Sequence, residues 1–112
     1  MLVLERSGEL LLEKRPAPGI WGGLWCFPEL AHDEDAATVS LQRFGAHVRA
    51  AERLPDVKHG FTHFSLTISP RRMEVSALVP RAAEAAYRWM PIDEIVKAAI
   101  PAPVKRIVEA LR

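Results

Sequence analysis

The chain has 112 residues and a mass of 12.5 kDa, which suits one globular domain with one core and excludes a second domain. Its hydrophobic fraction of 49% and charged fraction of 26% are ordinary for such a domain. A formal net charge of +1 provides no broad basic surface, so a free-standing nucleic-acid-binding protein is disfavoured and any DNA contact should be auxiliary.

The chain contains a single cysteine, Cys26. One cysteine alone cannot form an internal disulfide, a four-cysteine zinc site or an iron–sulfur cluster held within this chain. Cys26 is therefore expected to be a small buried apolar residue.

Neither membrane insertion nor secretion is indicated. No run approaches the roughly 18 apolar residues of a membrane span. The N-terminus lacks the basic start and small-residue cleavage site of a signal peptide. We expect a cytoplasmic location and no membrane partner.

Alternating leucines predict an opening hairpin around Ser7–Gly8: Leu2 and Leu4 precede it, and Leu10 and Leu12 follow it.

A short strand and a helix are predicted next. The strand covers 24–27 and is stopped by Pro28. The helix follows Asp33–Asp35 and ends near Gly45, a plausible C-cap. Its apolar residues recur at helical spacing: Ala37, Leu41 and Phe44.

Three extended segments are then predicted: His47–Leu54, Phe64–Ile68 and Met73–Val79. The last two alternate with period two and should each place one face on the core. These faces comprise Phe64, Leu66 and Ile68, and Met73, Val75, Ala77 and Val79.

The C-terminal part predicts a short strand at 87–90 and two helices. The first helix runs from Pro91 through Ile100 with four residues inward: Ile92, Ile95, Val96 and Ala99. The second has Pro103 in its first turn, with an apolar stripe of Val104, Ile107, Val108 and Leu111. Its opposite face is either simply solvated or in contact with the DNA backbone: Lys105, Arg106, Glu109 and Arg112. This order predicts an α+β fold with a mixed sheet covered by helices.

The segment from Gly23 to Pro28, G-x-W-x-F-P, resembles the lead into the Nudix box of MutT-type pyrophosphohydrolases. The resemblance implies magnesium bound by glutamates in the pattern G-x5-E-x7-R-E-U-x-E-E-x-G-U, where U is a bulky apolar residue. Magnesium requires oxygen ligands. If Gly45 is the last glycine of the pattern, its Arg-Glu falls on Thr38 and Val39, and its paired glutamates fall on Gln42 and Arg43. No magnesium site is therefore expected.

Four neighbouring residues are candidates for a substitute metal cluster: His32, Asp33, Glu34 and Asp35. Consecutive helical residues point about 100° apart and do not converge on one ion. A helix start with Asp33 or Asp35 as the cap is the simpler explanation.

A second stretch, Phe61–His63, completes a broader resemblance. Gly19–Pro28 is similar to the G-[IL]-W-G-G-L-[WY]-x-F-P signature of the C-terminal domain of MutY-type adenine DNA glycosylases. Phe61–His63 resembles the F-S-H loop of that domain, and Ala102–Lys105 resembles the motif that opens its last helix. The resemblance covers essentially the whole chain as a single domain, 1–112.

The resemblance implies a Nudix (MutT-like) fold, mixed or antiparallel sheet flanked by helices, without pyrophosphohydrolase activity. It also implies recognition of 8-oxoguanine paired with adenine in base excision repair. In that family a separate N-terminal helical domain, which holds an iron–sulfur cluster, removes the adenine. The implied partners are double-stranded DNA with 8-oxoguanine:adenine mispairs and the catalytic domain of the same chain. We expect a domain cut from a longer protein, with no cofactor of its own.

Five residues are candidates for lesion or DNA contact: Phe61, Thr62, His63, Lys58 and His59. The Thr62 hydroxyl can accept from the N7–H of 8-oxoguanine or donate to O8. Phe61 can wedge against a base step. His63, Lys58 and His59 are candidates for phosphate positioning. The family usually has serine where this chain has Thr62, whose extra methyl restricts χ1.

Other interpretations remain open. An uninterrupted strand would place Phe61 among polar residues, whereas a bulge or turn at Gly60 would return it to the core. His63 is equally explained as a structural histidine. The tryptophans are expected to anchor core and loops: Trp21, Trp25 and Trp89. An active pyrophosphohydrolase and a protein-docking module are the alternative functions.

Overall fold

The computed structural model describes residues 1–79 and 86–112. The strands within these ranges are β1 Leu2–Arg6, β2 Glu9–Lys14, β3 Trp25–Cys26, β4 Ala46–Arg53, β5 Val57–Gly60, β6 Ser65–Ile68, β7 Arg71–Leu78 and β8 Tyr87–Pro91. The helices are α1 Ala36–Phe44, α2 Ile92–Ile95 and α3 Ala102–Ala110. None of these helices is long and apolar enough to cross a membrane.

The sheet is mixed, as predicted. Its order is β3-β2-β1-β7-β4, and β8 also pairs with β2, along residues 9–13. Strands β1 and β7 are parallel, whereas the other pairs are antiparallel. Strands β5 and β6 form a separate two-stranded hairpin, which we call the β5–β6 hairpin.

The core has two apolar layers, one on each side of the sheet. Successive side chains of β1 alternate between them, with Val3 in one layer and Leu2 and Leu4 in the other. Helices α2 and α3 cover the first layer, and α1 covers the second. The predicted opening hairpin and the burial of Cys26 are both confirmed.

Helix α1 begins and ends where the sequence predicts. The Asp35 carboxylate accepts the Thr38 N–H at 3.0 Å, and Gly45 closes the helix with φ 66°. The predicted face was wrong in detail, because Ala37 and Leu41 are exposed. The buried face is Ala36, Val39, Ser40 and Phe44.

The two C-terminal helices differ in how closely they follow prediction. Helix α3 buries Val104, Ile107 and Val108 and leaves its charged face exposed, as expected. Helix α2 ends at Ile95 instead of Ile100, and Ala99 is exposed. After α2 the chain continues in tighter turns, where the Lys97 and Ala98 N–H groups donate to the carbonyls three residues back, and the Ala99 carbonyl accepts the N–H of Trp25 from β3 at 2.9 Å.

The predicted alternation of buried and exposed residues breaks in β7. Strand β7 buries Met73 and Val75, but Ala77 is exposed while Leu78 packs against the α1 layer. The cause is a β-bulge in β7. Val75 and Ala77 are two residues apart, but they pair with the adjacent residues Val48 and His47 of β4. Beyond the strand, Val79 is also exposed.

Strands β3 and β5 and the position of Phe64 also differ from the sequence prediction. Strand β3 is limited to Trp25–Cys26, and β5 was not predicted, since Val57–Gly60 has neither a continuous apolar run nor strong strand formers throughout. Phe64 was expected in the core and is 48% exposed.

Candidate nucleic-acid interface

The β5–β6 hairpin ends in a two-residue tip. Gly60 lies opposite Ser65, and the next pair is Phe61 and Phe64, where the Phe61 N–H donates to the Phe64 carbonyl at 2.7 Å. Thr62 and His63 therefore form the turn, two residues beyond the Gly60 position considered from the sequence. Their side chains are exposed.

One face of the hairpin runs outward from the core. Cross-strand partners share a face, so this face carries Val57 with Ile68, His59 with Leu66, and Phe61 with Phe64. The exposed fraction rises from 5% at Ile68 to 48% at Phe64. Phe61 is half-buried. The turn has returned it to the apolar face without placing it in the core.

Four rings form what we call the aromatic cluster: Trp21, His59, Phe61 and Phe64. The Phe61 ring stacks on Phe64 with centroids 4.5 Å apart and planes inclined by 22°. It also meets His59 at 4.8 Å and Trp21 at 5.8 Å. Trp21 packs against the α2/α3 layer of the core. The cluster thus links the core to the outer part of the hairpin.

A tight loop holds Trp21 in this position. The Arg15 guanidinium donates to the Ile20 carbonyl, and the Gly23 N–H donates to the Arg15 carbonyl, each at 2.9 Å. Gly23 has φ 80°, which favours glycine. A Cβ on Gly22 would lie 3.1 to 3.2 Å from the neighbouring loop backbone and side chain. These contacts explain the paired glycines of the signature segment.

The hairpin is free of negative charge. Residues 57–68 contain Lys58, His59 and His63 and no Asp or Glu. Within residues 1–79 and 86–112, the side chains of Lys58, Thr62 and His63 make no hydrogen bond or ion pair. Lys58 occupies the face opposite the aromatic cluster, and its carbonyl accepts from Arg106 of α3 at 3.1 Å. These groups are available to an external ligand.

The positions on α1 that match the Nudix pattern do not suit magnesium. Val39 is 6% exposed and packs in the core. The Arg43 guanidinium pairs with Glu13 at 2.7 Å, and the Thr38 hydroxyl donates to Asp35 at 2.8 Å. With Gln42, this set supplies no free carboxylate where the pattern has glutamates.

The acidic segment before α1 does not form a substitute cluster. Asp35 caps the helix, and Glu34 accepts the Ala31 N–H at 2.9 Å. Hydrogen bonds from the Thr38 hydroxyl and amide lower the pKa of Asp35. In the described part of the chain, no three or more His, Cys, Asp or Glu side chains converge as metal ligands.

Two further sites are structural in character. Burial raises the pKa of the Cys26 thiol to about 11, so its nucleophilic thiolate is scarce at neutral pH. A depression of about 460 Å³ lies over β1, β4 and β7. Four of its charged groups form ion pairs, Arg49 with Glu74 at 2.5 Å and Arg72 with Glu5 at 2.6 Å.

The expected anchoring role of Trp21 is confirmed by its packing against the core, but its contact with Phe61 and the exposure of Phe64 were not predicted. Period-two alternation shows which face Phe64 occupies but not how far along the strand the core extends. Trp21 is 40 residues from Phe61 in the chain, and no local pattern predicts their contact.

Comparison with known sequences identifies the family. The NUDIX domain profile matches residues 1–110. The chain belongs to the NUDIX domain family. This NUDIX chain is also similar to adenine DNA glycosylases, at 28% identity over 118 aligned residues for the Mus musculus protein and 24% over 111 for the Buchnera aphidicola protein.

These alignments cover 94% and 99% of the chain. They cover only 23% and 31% of the two relatives, so the chain spans less than a third of the glycosylases that it matches. The resemblance to MutY-type proteins stated from the sequence is confirmed.

Solved structures confirm the α+β NUDIX fold. The C-terminal domain of mouse MUTYH, determined in complex with human PCNA, has a TM-score of 0.74 at 24% identity. The match covers 98% of this chain and 83% of that one. A MutT NUDIX hydrolase from Burkholderia pseudomallei has a TM-score of 0.67 at 20% identity, with coverages of 99% and 94%.

Proposed function

We propose that this NUDIX domain recognises DNA lesions as part of an adenine DNA glycosylase and reads 8-oxoguanine opposite adenine. The observation that carries the proposal is the exposed tip Thr62–His63, whose side chains have no partner among the described residues. The similarity to adenine DNA glycosylases across nearly the whole chain supports it.

The Thr62 hydroxyl is suited to the lesion. Oxidation turns N7 of guanine from an acceptor into an N–H donor and adds a carbonyl oxygen at C8. A hydroxyl offers one donor and two acceptor lone pairs, so Thr62 can meet either change. Its place at the tip lets it approach a base edge ahead of the rest of the hairpin.

The neighbouring residues position the duplex. Lys58 and His63 contact phosphates, and His59 contributes from its half-buried place beside Phe61. Phe61 supports a wedge contact against a base step. Phosphate contacts set the orientation, and the hydroxyl contact reads the base.

In this proposal the domain does not itself hydrolyse a substrate. Adenine removal belongs to a catalytic domain of the same protein, and any iron–sulfur cluster belongs there too. The residues matched to the Nudix pattern lack the carboxylates that magnesium would need, and we assign no cofactor to this domain. Its partners are mispaired duplex DNA and that catalytic domain, and its place is the cytoplasm.

The test replaces Thr62 with valine, which keeps the shape of the side chain and removes the hydroxyl. We expect the chain to bind an 8-oxoguanine:adenine duplex more tightly than a guanine:adenine duplex. Thr62→Val should reduce this preference at least about 5-fold, because a good base contact contributes about 1–3 kcal/mol. Binding is measured by fluorescence anisotropy at fixed salt.

Thr62→Ser is the matched control, since it keeps the hydroxyl and should keep the preference. An unchanged preference in Thr62→Val would remove Thr62 from the readout. EDTA-sensitive turnover of 8-oxo-dGTP or another nucleoside triphosphate with magnesium would contradict the non-enzymatic role and favour a pyrophosphohydrolase.

A further inference from the structure

We propose that Phe64 is the side chain of the hairpin that contacts a base step of duplex DNA, and that Phe61 supports it from behind. This inference rests on the proposed DNA-binding function and adds a residue that the sequence resemblance does not include. It assigns different tasks to the two phenylalanines of the stacked pair.

The surroundings of the two rings differ. Phe61 meets three other rings, at 4.5, 4.8 and 5.8 Å, and is half-buried. Phe64 is 48% exposed, and the Phe61 ring covers one of its faces. Insertion at a base step requires an accessible apolar edge or face. Phe64 provides one, whereas Phe61 is largely enclosed.

The exposed ring is also held in place. Phe61 backs Phe64, Trp21 and His59 flank Phe61, and Trp21 joins the core. A side chain that is already ordered loses less conformational entropy when it binds. This support distinguishes Phe64 from the exposed aliphatic residues Ile20 and Val79.

The charge around the ring favours DNA as the occupant. Residues 57–68 contain no Asp or Glu, His63 lies at the tip, and Lys58 occupies the opposite face. The Lys58 cation on the far face and an aromatic ring on the near face suit a hairpin that enters a groove between two phosphate backbones. Only the Phe64 ring of the cluster is strongly exposed, and one exposed ring beside hydroxyl and basic groups is a poor match for an apolar protein groove.

The experiment compares Phe64→Ala with the unmodified 112-residue chain on 8-oxoguanine:adenine and guanine:adenine duplexes at several salt concentrations. We expect the Kd to rise about 5- to 20-fold on both duplexes, since aromatic contact with bases contributes on this scale. The salt dependence should stay the same because no phosphate contact is lost. The ratio between the two duplexes should also persist, because Thr62 remains.

Phe64→Trp and Val79→Ala are the controls. The tryptophan variant keeps an aromatic ring and should bind like the unmodified chain. Val79 is 44% exposed outside the hairpin, so its truncation removes exposed apolar atoms that the proposal does not place on DNA and should leave the Kd unchanged. A 2-aminopurine next to the lesion should brighten on binding of the unmodified chain and stay quenched with Phe64→Ala.

The outcomes separate this inference from the proposed function. A Kd for Phe64→Ala equal to that of Val79→Ala, with the Phe61 amide still protected, would overturn the role of Phe64 alone. A loss of binding in Phe64→Ala without any lesion preference in the unmodified chain would support Phe64 and reject lesion reading. Failure of the unmodified chain to bind either duplex would overturn both.

Discussion

Helix α1 and the β5–β6 hairpin use their polar side chains in opposite ways. On α1, Asp35 caps the helix, the Ser40 hydroxyl donates to the Ala36 carbonyl at 2.7 Å, and Arg43 pairs with Glu13. On the hairpin, Lys58 and Thr62 have no such side-chain partner within the described ranges. On the helix that carries metal ligands in the Nudix pattern these side chains make internal contacts, whereas the two hairpin side chains are free to meet a ligand.

The largest expected effect is a loss of stability when the buried face of helix α1 is changed. Val39→Glu restores a glutamate at a position of the Nudix pattern, but Val39 is 6% exposed. A buried carboxylate loses its hydration, so we expect a loss of about 3–5 kcal/mol in the free energy of unfolding. Urea denaturation measures it.

Gln42→Glu is the matched control on the same helix, because Gln42 is exposed and should change stability by less than about 0.5 kcal/mol. Equal stability of the two variants would show that α1 does not pack through Val39.

The second prediction concerns the support of the hairpin. Trp21→Ala removes the ring between Phe61 and the core, and we expect a loss of about 2–4 kcal/mol in the free energy of unfolding. The amide of Phe61, which donates to Phe64, should exchange faster with solvent than in the unmodified protein. Hydrogen exchange followed by NMR measures this.

Trp25→Ala provides the comparison, since Trp25 packs on the same core layer without a ring contact to the hairpin. Equal loss of protection at Phe61 in both variants would mean that Trp21 stabilises the domain only globally.

The smallest expected effect is a local pH dependence of α1. Hydrogen bonds from Thr38 hold the pKa of Asp35 below its ordinary value of 3.8. The cap therefore contributes fully above pH 3.8 and is lost as the pH falls through the lower folded-state pKa. Protection of the Thr38 amide should decline over this range and not above it.

Asp35→Asn separates the cap from the charge, because asparagine also caps helices but does not titrate. In Asp35→Asn, the protection of the Thr38 amide should not decline as the pH falls below 3.8. The same decline in both proteins would assign it to another group.

The two ends of α1 illustrate what local sequence predicts well. Asp35 and Gly45 act through bonds to residues within four positions, so the sequence specifies the helix limits. The face that is buried was predicted less well. Phe44 is buried as predicted, but Ala37 and Leu41 are exposed and the sheet covers Val39 instead.

The hairpin residues could be selected from the sequence, but their arrangement could not. The resemblance of Phe61–His63 to a known loop singled out this segment as the candidate site. The turn position, the exposure of Phe64 and the contact with Trp21 depend on pairing between distant segments. Bulge-induced changes of alternation, as between Val75 and Leu78, are equally invisible to a period count.

The sequence itself shows that the Nudix positions lack carboxylates. Hydrogen-bonding and conformational preferences that act over a few residues determined the opening hairpin, the caps of α1 and the start of α3. Packing determined the rest, because a side chain is buried or exposed according to which surface meets it, and those surfaces come from remote parts of the chain. In this protein, packing against remote segments decides whether an aromatic residue such as Phe64 fills the core or stays exposed.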